Sequence, residues 1–212
     1  MMHDPHIWRL CLVTDRPLAR GRDILDIVAA AVKGGATMVQ LREKEADTRA
    51  FLELALALKT LLKPHAVPLI INDRVDIALA VDADGVHVGQ SDMPAAIVRR
   101  LIGPDKIVGL SASRREYVTA PDAEIADYLG IGPLYAQTTK KNAAATPHGP
   151  EGFAALRALT HKPVMAIGGI KADNAAPVIA AGADGLAVVS AIVGADDPEQ
   201  AARDIIGLYD RA

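Results

Sequence analysis

The chain has 212 residues, half of them hydrophobic and 23% charged, with a formal net charge of −3. That composition is rich enough for a sizeable core and excludes a disordered chain. The lack of a basic excess and the 3% aromatic content exclude the charge footprint and stacking platforms of a nucleic-acid binder. The length favours one domain over residues 1–212. No run approaches the about 18 consecutive apolar residues of a membrane span. Residues 1–9 carry His3, Asp4 and His6 rather than a basic segment followed by an apolar one, so no signal peptide is expected and the protein reads as soluble and cytoplasmic. The single cysteine, Cys11, lies inside an apolar run and reads as a core residue.

Short apolar runs alternate with segments of helical period along the whole chain. The predicted strands are Leu10–Thr14, Met38–Arg42, Pro68–Ile71, Gly85–Val88, Ile107–Leu110, Tyr128–Ile131, Val164–Ile167 and Leu186–Val189. Between them, Asp23–Lys33, Thr48–Leu62, Pro94–Leu101, Gly152–Leu159 and Asn174–Ala180 carry apolar residues near i, i+3, i+4 and i+7, as helices covering a sheet do. Strands apolar on both faces and alternating with helices predict a parallel α/β fold.

A repeated phrase selects a closed barrel over an open sheet. Gly35-Ala36-Thr37-Met38-Val39, Ala83-Asp84-Gly85-Val86-His87, Ala126-Asp127-Tyr128-Leu129-Gly130 and Gly182-Ala183-Asp184-Gly185-Leu186 each lead from a helix end into a strand, at every second strand. Glycine after the helix is expected to supply a left-handed cap. Polar residues collect just after the strands, where barrel sites are built, and Thr14-Asp15-Arg16-Pro17 is not the Gly-rich turn that opens a dinucleotide-binding sheet. The prediction is a single (β/α)₈ TIM barrel, compact against the about 250 residues typical of that fold.

The strand ends carry the candidate chemistry. Gln40, Arg42 and Lys44 share one face if the second strand stays extended, making an anion site. The competing arrangement is a solvated strand end neutralised by Glu43 and Glu45. Asp73, after Asn72, and Asp92 occupy equivalent positions on neighbouring strands. As a pair beside Arg42 and Lys44 they suit Mg²⁺ with a phosphorylated ligand, whereas singly each would suit a helix cap. His87 lies within a strand without a second histidine at ligand spacing and reads as a satisfied core residue. Ser111 ends the fifth strand. Gly132-Pro133 follows the sixth, with Thr138, Thr139 and Lys140 at the base of a long polar loop, Thr138–Pro150. Gly168-Gly169 and Val189-Ser190 end the last two strands, where barrels bring backbone N–H groups to a phosphate.

Taken in order, Leu12-Val13-Thr14-Asp15, Gln40-Leu41-Arg42-Glu43-Lys44, Ile71-Asn72-Asp73-Arg74, Asp84-Gly85-Val86-His87-Val88-Gly89-Gln90 with Asp92, Gly132-Pro133, Thr139-Lys140 and Ala166-Ile167-Gly168-Gly169-Ile170 resemble the thiamin phosphate synthase (thiamin phosphate pyrophosphorylase) family over nearly the whole chain. The resemblance implies a Mg²⁺-dependent transferase of thiamin biosynthesis. Such an enzyme joins hydroxymethylpyrimidine diphosphate to thiazole phosphate and releases pyrophosphate through early C–O cleavage, the thiazole nitrogen capturing a pyrimidine carbocation. It further implies that Gln40, Arg42, Lys44, Asn72, Ser111 and Lys140 contact the pyrimidine diphosphate, with Arg42, Lys44, Ser111 and Lys140 catalytic. Asp73 and Asp92 would hold Mg²⁺. Thr138 and Thr139 would join the substrate site, and Gly168, Gly169, Val189 and Ser190 would bind the thiazole phosphate. A homodimer is implied by the family alone. One departure stands out: the family's Thr-x-Thr-Lys after the sixth strand reads Gln137-Thr138-Thr139-Lys140 here, at a residue that helps bind the thiazole side.

Two rivals are a thiazole tautomerase-like isomerase of the same fold and a non-catalytic phosphate-binding regulatory barrel. The tautomerase's catalytic histidine would align with Ser113, and its chemistry has no use for the Gln40, Arg42, Lys44 set.

Overall fold

The computed structural model describes residues 5–136 and 146–210. Eight strands form one closed parallel barrel in sequence order: β1 Leu10–Val13, β2 Met38–Leu41, β3 Leu69–Asn72, β4 Gly85–Val88, β5 Ile107–Ser111, β6 Tyr128–Ile131, β7 Val164–Ile167 and β8 Gly185–Val188, with β8 pairing β1. All eight predicted strands are present, shifted by at most a residue or so at their ends. The helices described are α1 Ile24–Lys33, α2 Thr48–Leu62, α3 Val75–Ala80, α4 Ala95–Ile102, α5 Arg115–Val118, α6 Pro121–Ile125, α7 Gly149–Arg157, α8 Ala176–Ala180, α9 Ser190–Val193 and α10 Pro198–Ile206. The helix predicted from Gly152 begins at Gly149, which takes the end of the Thr138–Pro150 segment out of the loop. No described helix is long and apolar enough to cross a membrane.

Strand alternation sorts the core into two parts. Leu10, Leu12, Val39, Leu41, Val86, Val88 and their equivalents face outward into the layer under the helices, which close over them with Phe51, Leu58 and Phe153. Cys11, Val13, Met38, Ile70, Ile107, Tyr128, Met165 and Ala187 face inward and fill the lumen above Trp8, which lies at its foot. Burial of Cys11 pushes its thiol up to about 12, as a core cysteine requires. Large and small residues alternate in the lumen. Trp8 and Tyr128 pack with ring centroids 5.2 Å apart, and a Cβ on Gly109 would stand 2.5 Å from His87 Nδ1.

The repeated phrase proves to be a clasp at the foot of the barrel. The residue before each even strand accepts the backbone N–H at the start of the preceding odd strand: Thr37 Oγ1 from Leu10 (2.9 Å), Asp84 Oδ2 from Leu69 (2.9 Å), Asp127 Oδ2 from Val108 (2.7 Å) and Asp184 Oδ2 from Val164 (2.8 Å). The backbone N–H of each clasping residue returns a bond to the same partner's carbonyl. The expected left-handed glycine cap holds only in part. Gly35 and Gly182 have φ of 106° and 92°, but in the second copy Asp82 takes that conformation (φ 52°), and in the third Ala126 is extended. A side-chain acceptor at the strand's foot is the feature all four copies share.

Candidate active site

Strand alternation also builds the site. Positions that continue the inward face past the strand ends open into one cavity of about 720 Å³ at the C-terminal mouth, and every strand contributes to its lining. On the β2–β4 side it is lined by Gln40, Arg42 and Lys44, then Asn72 and Asp73, then Asp92; Ser111 lies beside them on β5. Across the mouth stand Gly168, Gly169, Val189 and Ser190. Thr138, Thr139, Lys140 and the departing Gln137 lie outside the described residues.

The two arrangements left open for the cations are separated by their partners. Arg42 pairs with Asp15 (3.3 Å) and Lys44 with Asp73, while the Glu43 carboxylate turns to Arg16, which lies 2.9 Å away. Glu43 therefore does not neutralise Arg42 or Lys44, and both cations line the cavity. The second strand stays in register because Thr14 Oγ1 accepts the Arg42 N–H (2.9 Å) and the Thr14 N–H donates to the Gln40 carbonyl (3.0 Å).

Neither aspartate caps a helix. α3 and α4 begin without a cap from either side chain, and Asp122 on α6 accepts the Ala95 N–H that opens α4 (3.1 Å). Asp73 sits at φ 64°, a left-handed conformation that costs most non-glycine residues free energy and that Asp tolerates better than most. Asp92 is held by Gly89, whose N–H donates to Oδ2 (2.7 Å). Two carboxylates of this kind suit Mg²⁺, which takes one or two protein carboxylates and completes its shell with water and phosphate oxygens. Among the described residues no group of three His, Cys, Asp or Glu is gathered for a metal.

The opposite wall is backbone. Gly168 and Gly169 have φ of 106° and 69°, and a Cβ on Gly169 would come 2.8 Å from Tyr135 Cβ, so only glycine fits this turn. Asn174 Nδ2 donates to the Gly169 carbonyl (3.0 Å), and the Tyr135 hydroxyl donates to the Asn174 carbonyl (2.8 Å). Arg22 ties the far loop down by donating to the carbonyls of Val193 (2.5 Å) and Ala195 (2.6 Å).

His87 is satisfied, as expected, yet it also lines the cavity: Nδ1 meets the Tyr128 hydroxyl at 2.8 Å and Nε2 meets Ser111 Oγ at 2.9 Å. Burial holds the Tyr128 hydroxyl pKa well above its usual value of 10. Tyr128 and Asp15 are among the cavity residues to which sequence reasoning gave no role. Asp15 was findable, since it stands two residues after Val13 on the inward face of β1.

Residues 10–192 match the family model described as thiamine monophosphate synthase. The chain is 55% identical over 201 residues to the thiamine-phosphate synthase of Chloroflexus aurantiacus, covering 95% of this chain and 92% of that one. It is 47% identical over 205 residues to that of Moorella thermoacetica, covering 97% of each. The thiamine phosphate pyrophosphorylase structure from Pyrococcus furiosus superposes with a TM-score of 0.88 at 36% identity over 98% of both chains. A 3-hexulose-6-phosphate synthase structure, at 18% identity and a TM-score of 0.70, shares the fold alone. By sequence over nearly its whole length and by structure, the chain belongs to the thiamine monophosphate synthase family, a family of transferases.

Proposed function

We propose that the cavity takes hydroxymethylpyrimidine diphosphate on its β2–β4 side and thiazole phosphate on its β7–β8 side, and joins them with release of pyrophosphate. The observation that carries this reading is the division of one mouth into a wall of charged side chains around Arg42, Lys44, Asp73 and Asp92 and a wall of backbone at Gly168, Gly169 and Val189-Ser190. Arg42 and Lys44 would bind the diphosphate and stabilise the negative charge that grows on it as the C–O bond breaks. Asn72 and Ser111 would orient that substrate, and Gln40 would hold its ring. The backbone N–H groups beyond β7 and β8 would fix the thiazole phosphate so that its ring nitrogen meets the pyrimidine cation. Asp73 and Asp92 would hold Mg²⁺, which when bound adds positive charge at the departing diphosphate. Lys140, with Thr138 and Thr139, is proposed to complete the site from the loop after β6.

No side-chain nucleophile is needed in this scheme, and the buried Cys11 offers none. A cytoplasmic homodimer belongs to the same reading, supported by family resemblance and checked by light scattering. The deciding experiment incubates the purified protein with both substrates and Mg²⁺ and measures pyrophosphate and thiamin phosphate together. Equal formation of both is expected. No product above background, with a control enzyme active, overturns the proposal.

A further inference from the structure

A polar chain runs through the upper lumen from Tyr128 through His87 to Ser111, and its residues line the cavity together with Gln40. Tyr128 is 1% exposed, and Gly109 and Gly130 leave the space into which its hydroxyl and the His87 ring fit. A phenol has one proton to donate, and a neutral imidazole donates from one nitrogen and accepts at the other. The chain therefore has two consistent senses, and each fixes what its ends can offer to a ligand.

In one sense the Tyr128 hydroxyl donates to His87 Nδ1, His87 Nε2–H donates to Ser111 Oγ, and the Ser111 proton is left to point into the cavity. In the other sense every bond reverses, and Ser111 spends its proton on His87. The first is favoured because a phenol is a far stronger acid than an alkyl hydroxyl and makes the stronger bond to an imidazole nitrogen. Burial disfavours the Tyr128 phenolate and keeps its proton in place.

We infer that Tyr128 and His87 are positioning residues that fix the Ser111 hydroxyl as a donor into the cavity, so that it reads an acceptor nitrogen on the edge of a ligand's heterocycle. The identity of that ligand as an aminopyrimidine rests on the proposed function; the direction of the hydrogen bonds does not.

The test begins on the protein alone. Histidine ¹⁵N NMR at mildly alkaline pH, with the His87 signals assigned by their loss in His87→Asn, is expected to show the Nε2–H tautomer. An Nδ1–H tautomer overturns the inference whether or not the protein turns over. Tyr128→Phe keeps the ring and removes the donor. It is expected to abolish the single tautomer and raise KM for the pyrimidine diphosphate about tenfold, the size of one hydrogen bond, with KM for the thiazole phosphate unchanged. An unchanged pyrimidine KM, or an equal rise for both substrates, overturns the positioning role. A lack of turnover in the parent protein alongside an Nε2–H tautomer counts instead against the proposed function.

Discussion

Thr37 Oγ1 accepts the backbone N–H of Leu10 at 2.9 Å and has the carbonyls of Ile7 (3.0 Å) and Leu10 (3.2 Å) to share its single proton, so one hydroxyl ties the foot of β2 to the foot of β1. Leu10 is fully buried, and no water can replace that acceptor. Thr37→Val keeps the shape and strands the N–H. It is expected to lower stability by about 1–3 kcal/mol, read from chemical denaturation, with steady-state rates unchanged because the cavity lies at the other end of the barrel. A loss below about 0.5 kcal/mol would show that the clasp contributes nothing.

At the opposite end, Lys44 and Asp73 pair across neighbouring strands at the cavity wall. Lys44→Ala and Asp73→Ala are each expected to cut kcat/KM at least about a hundredfold, the scale of one lost charge contact to a developing anion. Circular dichroism should stay close to the parent's, since both side chains stand at the mouth and not in the core, and melting should fall only modestly in Asp73→Ala, where alanine tolerates φ 64° less well than aspartate. Near-normal turnover in either variant would remove that residue from the diphosphate site.

Gly109 faces both Tyr128 and His87. Gly109→Ala places a methyl where the ring and the imidazole already stand. About 1–3 kcal/mol of stability should be lost through overpacking, together with a rise in KM for the pyrimidine substrate as His87 is displaced. Unaltered melting would mean that the lumen has slack at this level.

Cys11 is buried and its thiol is raised to about 12, so the reactive thiolate is scarce and shielded. Iodoacetamide at neutral to mildly alkaline pH is expected to leave the native protein unlabelled and to label it fully in guanidinium, as mass spectrometry would record. Labelling of the folded protein would place the thiol at the surface.

The Lys106 and Lys59 ammonium groups hold the Asp82 carboxyl down at about 2, below its unfolded value of about 3.9. A depressed carboxyl pKa contributes stability above the unfolded value and loses it as pH falls through the folded one. Asp82→Asn should therefore be slightly less stable than the parent at neutral pH, with the gap closing between about pH 4 and pH 2. The effect is small because the side chain is exposed. Melting curves across that range check it, and a gap independent of pH would assign the difference to backbone conformation.

Much of this protein is set by local sequence. Eight apolar runs alternating with helical segments, and a phrase repeated at every second strand, specify the barrel, because strand alternation and helix period are short-range properties. The same alternation places Gln40, Arg42 and Lys44 on one face, so the cavity wall could be read before the fold was seen. Tertiary structure decided who pairs with whom. Thr37, Asp84, Asp127 and Asp184 recur in the sequence as a pattern, but their role as clasps exists only once odd and even strands lie side by side. His87 reads as an isolated core histidine until barrel closure brings Tyr128 and Ser111, 41 and 24 residues away, to its two ring nitrogens. Whether Glu43 or Asp73 meets Lys44 depends on which neighbouring strand the side chain leans towards, and that is fixed by packing across the mouth and not by spacing along the chain.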